Sequence, residues 1–274
     1  MKFGNQTSWM LALAIVAMPL AAKAQYTFID LNPSGFDGSM AFGISGSQQV
    51  GFGGGPGGYH ALLWSGTAAS AADLNPSGFT YASANGISGS QQVGYGNGPS
   101  TGGNSHALLW SGTAASAVDL NPSGYDSSAA SGISGGQQVG AGWMGGGPSH
   151  ALLWYGTAAS AVDLNPSGFF ASYALGISGS QQVGYGVTNG VRRALLWSGT
   201  AASAVDLQNF LSSDYTSSQA QGIDANGNIV GSALNSSTGQ WDAILWVAIP
   251  EPSTFALAGL GAAALFILRR HKRV

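Results

Sequence analysis

HALLWSGTAASAVDLNPSG, residues 106–124, recurs in closely similar form along most of the chain. Full copies begin at Tyr59 and Ser149, a shortened copy begins at Arg193, and a degraded one, WDAILWV, begins at Trp241. Each full copy follows a GIS…QQVG segment. The aspartate of the Asp-Leu pair falls at residues 30, 73, 119, 163 and 206, in steps of 43, 46, 44 and 43. This spacing predicts a tandem-repeat protein.

One repeat holds four short strand candidates, A to D, with the sequences AFGIS, QQVGFG, HALLW and AVDL. Gly-Ser or Gly-Gly separates A from B, which is typical of a tight hairpin. Asn-Pro-Ser-Gly follows D, where proline and glycine favour a turn. No segment of the repeats keeps a 3.6-residue apolar period, so we predict no helix there. Four strands in about 40–45 residues match one blade of a β-propeller.

The two ends of the repeat region complement each other. The chain starts with an orphan strand D, Tyr26–Leu31, and the last repeat ends at strand C, Ala243–Val247. Pairing the two would complete the last blade and remove two exposed sheet edges. We therefore predict an all-β fold for residues 25–248, a five-bladed β-propeller closed by the N-terminal strand. The alternative is an open β-solenoid, which would not explain the displaced strand D.

Loop variation is concentrated at one predicted end of the repeats. A meander places the A–B and C–D turns at one end and the B–C and D–A loops at the other, and the second set varies most. Binding residues usually lie on such loops. Trp143 is the leading candidate for ligand contact, because it lies in a glycine-rich segment and a flat ring can stack on a sugar. The alternative is that Trp143 caps its blade. Weaker candidates are Tyr81, Phe170 and Tyr173.

Other recurring residues are predicted to be structural. Five tryptophans occupy one repeat position and are expected to be buried: Trp64, Trp110, Trp154, Trp197 and Trp246. Three histidines share another position: His60, His106 and His150. Equivalent positions around a ring cannot converge on one ion, so we predict no metal site and no cofactor. The aspartate of each DLNPSG is expected to cap the turn that follows it.

Charge and composition exclude several classes of function. Between residues 25 and 249 the basic residues are Arg192 and Arg193, against ten aspartates, which argues against a nucleic-acid partner. The chain has no cysteine, so it forms no disulfide and no thiolate metal site. Five-bladed propellers include glycoside hydrolases with paired carboxylates. The repeats contain no glutamate, and we expect a protein that is not an enzyme.

The N-terminal residues 1–24 have the pattern of a signal peptide. Lys2 supplies the positive start, Met10–Leu20 the apolar run, and Ala22-Lys23-Ala24 the cleavage site. The apolar run is shorter than the roughly 20 residues that span a bilayer. The alternative is a buried helix.

The C-terminal residues 249–274 change in character. Pro250, Glu251 and Pro252 precede the apolar run Phe255–Leu268, and a basic end follows it: Arg269, Arg270, Lys272 and Arg273. This order resembles a PEP-CTERM sorting signal, in which an apolar membrane helix ends at a basic stop. The resemblance implies export through the inner membrane, cutting by an exosortase, and release or attachment at the cell surface, commonly with exopolysaccharide in biofilm. The alternative is an ordinary tail anchor.

The repeats also resemble the HAF family of probable extracellular repeats, through Gly-Ile, Gln-Val-Gly and His-Ala-Leu-Leu-Trp. Leucine stands where that family has phenylalanine, at Leu62, Leu108 and Leu152, and Arg193 and Asp242 replace the histidine in the last two copies. The favoured function is therefore a non-enzymatic surface or extracellular-matrix protein. The alternatives are a carbohydrate-binding module and, third, a glycoside hydrolase.

Overall fold

The structure, a computed structural model, describes residues 27–249. Within these residues all regular structure is β-strand, apart from six 3₁₀ helices of three or four residues. The all-β prediction is thus confirmed. The predicted signal peptide, Tyr26 and the sorting signal from Pro250 onwards lie outside the described residues.

The strands form five consecutive units that correspond to the sequence repeats. The strands of unit 1 are β1 (Gly38–Ser45), β2 (Gln48–Gly55), β3 (Gly58–Trp64) and β4 (Ala72–Asp73). Those of unit 2 are β5 (Tyr81–Ser88), β6 (Gln91–Asn97), β7 (His106–Trp110) and β8 (Val118–Asp119). Those of unit 3 are β9 (Ser127–Ser134), β10 (Gln137–Trp143), β11 (Ser149–Trp154) and β12 (Val162–Asp163). Those of unit 4 are β13 (Ala171–Ser178), β14 (Gln181–Thr188), β15 (Val191–Trp197) and β16 (Val205–Asp206). Those of unit 5 are β17 (Tyr215–Ile223), β18 (Ile229–Asn235) and β19 (Trp241–Trp246).

Units 1 to 4 are antiparallel meanders in the order A–B–C–D, and unit 5 has the order A–B–C. Units 3 and 4 are separate four-stranded sheets, and unit 5 has three strands. A single parallel bridge between Tyr59 and Tyr81 joins the sheets of units 1 and 2. The predicted A–B hairpins are present, and the first glycine of each turn has positive φ, as Gly46 does at +57°. The left-handed region favours glycine at this position.

The C–D connection, a turn-like Ser-Gly-Thr-Ala-Ala-Ser segment in the sequence, contains a short 3₁₀ helix, whereas the sequence predicted no helix in the repeats. In unit 1 the segment Ser65–Ser70 ends in a 3₁₀ helix, Ala68–Ser70. The Ser70 hydroxyl accepts a hydrogen bond from the Ser65 amide at 2.8 Å and donates one to the Thr67 carbonyl at 2.6 Å. Units 2 to 4 repeat both bonds. The small residues of SGTAAS therefore build a hydrogen-bonded corner.

The core lies between units. We call the two sheet faces of a unit front and back, the front facing the preceding unit. At the first junction Val50, Ala61 and Leu63 on the back of unit 1 pack against Ala84 and Trp110 on the front of unit 2. The next three junctions have equivalent clusters. Hydrophobic burial is the main favourable term in folding, so each unit depends on its neighbours for stability.

The predicted burial of the repeated tryptophans is confirmed for four of them. Trp64, Trp110, Trp154 and Trp197 are fully buried. Trp246 is half-buried, and its indole N–H donates to the Leu207 carbonyl at 3.2 Å.

The predicted closure of a ring is not shown. Residues 27–31, the described part of the orphan strand, belong to no strand, and Phe28 and Ile29 are exposed. The sheet of unit 5 keeps three strands. Adjacent units pack along the whole array, and within residues 27–249 no packing of comparable extent joins unit 5 to unit 1.

We expect Trp110→Ala to lower the free energy of unfolding by about 3–5 kcal/mol, because it leaves a cavity at the first junction. Denaturant titration followed by circular dichroism measures this. Trp241→Ala is the matched control, because Trp241 is 46% exposed. A similar loss in both variants would contradict the assigned role of the junction.

Candidate aromatic binding site

Each unit has two ends where its loops and turns lie, and both ends are built as the sequence predicts. At one end the side chain of Gln49 accepts the Gly66 amide at 3.0 Å, which ties the start of strand B to the C–D turn. Units 2 to 4 have the same bond. At the other end the D–A and B–C loops bond each other, as in the hydrogen bond from the Ser100 amide to the Gly78 carbonyl at 3.1 Å. We call this second end the variable end.

A row of aromatic rings runs across units 1 and 2, on strands close to the variable end. Neighbouring centroids are 5.5, 5.2, 5.5 and 5.6 Å apart, in the order Phe42, Phe52, Tyr59, Tyr81 and Tyr95. The Tyr81 and Tyr95 hydroxyls are hydrogen-bonded at 3.1 Å. Such ring spacings are those of favourable aromatic pairs.

A second row lies on units 3 and 4. Trp143 meets the edge of Tyr173 at 6.2 Å, and Tyr173 stacks on Tyr185 at 4.9 Å. The Arg192 guanidinium lies 4.9 Å from the Tyr185 centroid, a cation–π contact. Together the eight rings form what we call the aromatic band.

A pocket of about 550 Å³ is lined by one ring from each row, Tyr95 and Trp143. It lies between units 2 and 3, and the rest of its lining is small or polar: Asn104, Ser105, Asp126, Ser127, Ala129 and Gly146. Ala129 occupies the strand position that Tyr173 holds in unit 4. A methyl group there leaves space that the Tyr173–Tyr185 stack fills in unit 4.

The pocket presents hydrogen-bonding groups between two aromatic walls. Asp126 is the one charged side chain among its described lining residues. One carboxylate oxygen of Asp126 accepts the Gly145 amide at 2.6 Å, which orients the side chain.

Burial, followed by the hydrogen bond to Tyr95, raises the pKa of Tyr81 in the aromatic band to about 12. Burial also raises the pKa of Tyr185, and the Arg192 charge opposes that rise. These hydroxyls are therefore neutral donors at physiological pH.

The structure gathers three of the four sequence-predicted contact residues into the aromatic band. Trp143 ends strand β10 and does not lie in a loop, which corrects the predicted placement. Phe170 is 69% exposed and makes no ring contact with the band among the described residues. Tyr95, Tyr185 and Asp126 were missed as contact residues. The signal for Tyr95 and Tyr185 is the single variable position inside the otherwise constant strand B, which reads Phe, Tyr, Ala and Tyr in units 1 to 4. Asp126 lies outside strand B, in a D–A loop.

The repeated histidines have a different role. His60 Nδ1 lies 2.6 Å from the Asp73 carboxylate, across strands C and D of one unit. Units 2 and 3 repeat the pair at the same distance. Arg193 replaces the histidine in unit 4 and bonds Asp206. Asp73 also accepts the Asn75 amide at 2.8 Å, as predicted for a turn cap. Within residues 27–249 no three His, Asp or Glu side chains converge as a metal site would require.

A larger pocket, of about 730 Å³, lies between units 4 and 5. Its walls are mainly apolar and include Leu207, Phe210 and Trp246, and its described lining holds no charged residue. Sugar hydroxyls need polar partners, so the pocket between Tyr95 and Trp143 is the better candidate for a carbohydrate.

We expect alkaline pH to destabilise the protein between pH 10 and about 12. Tyr81 and Tyr125 both have a pKa raised from 10.0 to about 12 in the folded state, Tyr125 by burial and then by Asp163. The stability that this contributes is complete below pH 10 and is lost as pH rises through about 12. Tyrosinate absorbance should show a late step that Tyr125→Phe reduces. Tyr155→Phe, at an exposed site, should leave that step unchanged.

The solved structures that are similar to part of this chain include the following two. TolB from Acinetobacter baumannii matches 62% of the chain at 12% identity with a TM-score of 0.43, over 42% of its own length. A serine-to-alanine mutant of puromycin hydrolase complexed with PGG matches 81% at 14% identity with a TM-score of 0.49, over 40% of its own length. This chain therefore aligns with less than half of either protein. No curated protein matches it.

The C-terminal segment provides the link to a known family of sequences. Within residues 27–249 no helix is long and apolar enough to cross a membrane, and the predicted membrane helix lies outside that range. Residues 248–273 match the PEP-CTERM protein-sorting motif. The chain therefore carries a PEP-CTERM sorting motif, which implies an exported protein that an exosortase processes and that is sorted to the cell surface.

Proposed function

We propose that this chain is a non-enzymatic surface or extracellular-matrix protein, sorted by an exosortase and held in exopolysaccharide. The observation that carries the proposal is the sorting motif at residues 248–273. An array without cysteine, stabilised by packing between repeats, suits an extracellular protein that needs no oxidative folding. The acidic repeat region disfavours binding to polyanions and leaves neutral sugars as suitable partners.

A second function, carbohydrate binding, is favoured by the pocket between units 2 and 3. Tyr95 and Trp143 provide two ring faces, and pyranose rings stack on such faces through their C–H groups. Asp126 and Asn104 supply the acceptors and donors that hydroxyl groups need. The pocket volume of about 550 Å³ suits one or two sugar residues of a longer chain.

The pocket favours binding over hydrolysis. Glycoside hydrolysis commonly uses two carboxyl groups, about 5–5.5 or 6.5–9.5 Å apart. The described lining contains Asp126 and no second carboxylate. This supports a pocket that binds a polysaccharide without cutting it, so that the protein leaves the polysaccharide only by dissociation.

We expect an exosortase-containing host to release a product that lacks the basic end. Glu251→Gln should leave the tail attached, because the Pro-Glu-Pro motif loses its charge, and intact-mass measurement of the surface fraction would show this. Asp214→Asn, which removes one charge from the repeat region, should still be cut. An identical mass for wild type and Glu251→Gln would contradict sorting through this motif.

We expect Trp143→Ala and Asp126→Asn each to weaken retention on the host exopolysaccharide by about tenfold, which corresponds to about 1.4 kcal/mol. Affinity electrophoresis in gels that contain the polysaccharide measures this. Trp241→Ala removes an exposed tryptophan outside the pocket and is the control. Equal retention of all variants would exclude this pocket and leave the sorting proposal untouched.

A further inference from the structure

The two ends of the array expose surfaces that are buried at every internal junction. On the back of unit 5, Val230 is 52% exposed and Leu245 is 59% exposed. Val50, Val93, Val139 and Val183 occupy the Val230 position in the other units, and all are fully buried. The back of unit 5 is thus an uncovered copy of an internal junction surface.

The front of unit 1 is open on its strand-A side. Ile44 is 72% exposed. Its counterparts Ile87, Ile133 and Ile177 each pack into the cluster at the junction between their own unit and the unit before it. Ala41 is exposed, and its counterparts in units 2 to 5 are buried. Leu62 and Trp64, further along the same face, are buried. The free part of this face is therefore the part contributed by β1.

The hydrogen bonds at the internal junctions show which groups on the back of unit 5 and the front of unit 1 could pair. The amide of Ala107 on strand C donates to the Ser128 hydroxyl on strand A of the next unit at 3.0 Å. The pairs Ala151–Ser172 and Ala194–Ser218 repeat this bond at 2.9 Å. By position the next pair is Ala243 with Ser39. Ala243 is exposed, and no serine accepts from its amide among residues 27–249.

Strand D supplies a second bond of the same kind. The Leu120 amide donates to the Ala107 carbonyl at 2.8 Å, and Leu74 and Leu164 make the equivalent bond in units 1 and 3. Unit 5 has no strand D. Leu31 has the matching sequence, and the turn after it is already formed, because the Asn32 amide donates to Asp30 at 2.9 Å.

We propose that the back of unit 5, including the edge of β19, binds residues 29–44 of a second copy of this chain, so that the array continues from one molecule to the next. Leu31 would pair with Ala243 as strand D, and Ser39 and Ile44 would cover Ala243 and Val230. The contact repeats the apolar packing of the internal junctions and the strand C bonds that three of them show. A head-to-tail contact of this type extends into rings or filaments.

A second copy is favoured over the chain's own unit 1 by the geometry of the array. The four internal junctions are packed, whereas within residues 27–249 no packing of comparable extent joins unit 5 to unit 1. Closing this array would require those packed junctions to change their angles, and close-packed interiors resist such changes. A second molecule continues the array while every internal junction keeps its packing, and only residues 29–31 have to pair anew as a strand. The unpaired edge of β19 is also the kind of edge at which strands add.

One residue pair limits the strength of this contact. At the internal C–D pairings a histidine or arginine faces the strand-D aspartate. In the proposed contact Asp242 would face Asp30 of the other copy. Like charges at this distance repel, so the contact is weaker than an internal junction and reversible.

Cysteine pairs test the proposal, because the wild-type chain has no cysteine. A Cβ at Gly43 would lie 3.4 Å from Ile87 Cγ2 at the first junction, which is within reach of a disulfide. Gly222 and Ile44 are the corresponding pair between chain ends. Mixing the purified exported Gly222→Cys and Ile44→Cys proteins under oxidising conditions should give disulfide-linked dimers. The double variant should give a ladder of oligomers.

Two controls make the result decisive. Gly132→Cys with Ile177→Cys in one chain should form an internal disulfide and remain monomeric, because that junction is internal. Ile44→Cys mixed with Ser123→Cys, at an exposed turn, measures chance collisions. A linked monomer from the Gly222/Ile44 double variant, without dimers in the mixture, would show ring closure and overturn the proposal. Linkage no greater than in the collision control would also overturn it.

A gain-of-function variant tests the same contact without disulfides. Asp242→His restores the residue of units 1 to 3 opposite Asp30 and should lower the dissociation constant of the assembly about fivefold. Sedimentation velocity measures this. Asp214→His makes the same charge change at an exposed site of unit 5 and should have no such effect. Equal shifts in both variants would assign the effect to net charge and contradict the proposed register.

Discussion

Every unit depends on a glycine in strand B that faces an irregularity in strand A. A Cβ on Gly51 would overlap the Met40 carbonyl oxygen of strand A. In each of the other units a Cβ on the equivalent glycine would overlap a strand-A carbonyl oxygen of that unit; these glycines are Gly94, Gly140, Gly184 and Gly231. Strand A shifts its register opposite this glycine, in unit 1 between Ala41 and Gly43. A bulge of this kind redirects the strand, so Ala41 and Ile44 come to the same face although they are three positions apart. The junction surface between units is a consequence of this shift.

The same constraint explains where the protein varies. Strand B must keep its glycines, and strand C must keep the leucines and tryptophan that fill the junctions. The residue after the constrained glycine is free to differ, and it is phenylalanine in unit 1, tyrosine in units 2 and 4, and alanine in unit 3. The aromatic band and its gap follow from these substitutions. A pocket thus arises beside unit 3, which has alanine at both paired positions, Ala129 and Ala141, where unit 4 has Tyr173 and Tyr185.

Structural features that depend on one repeat can be predicted from the sequence, whereas features that depend on the packing of two repeats cannot. Strand order, hairpin turns and tryptophan burial follow from spacing and alternation within about 45 residues. The facing of Tyr95 and Trp143 does not, because it depends on the packing of unit 2 against unit 3. The His60–Asp73 pair was missed because it needs the register of β3 against β4, which is two residues long. Ring closure depends on the angles between units, which no pattern in one repeat encodes.

Unit 5 differs most in sequence from the other units, and the residues that it shares with them indicate what its outer face does. It lacks the QQVG and SGTAAS segments and the histidine, and Asp242 instead accepts hydrogen bonds from Tyr215 and Asn235, each at 3.2 Å. The terminal repeat of an array that simply ends is expected to have a polar outer face, because that face meets water. Unit 5 keeps Val230 and Leu245 at the junction positions, both largely exposed. Since the rest of the unit has diverged, apolar residues retained on its outer face are best explained by a surface that another unit covers.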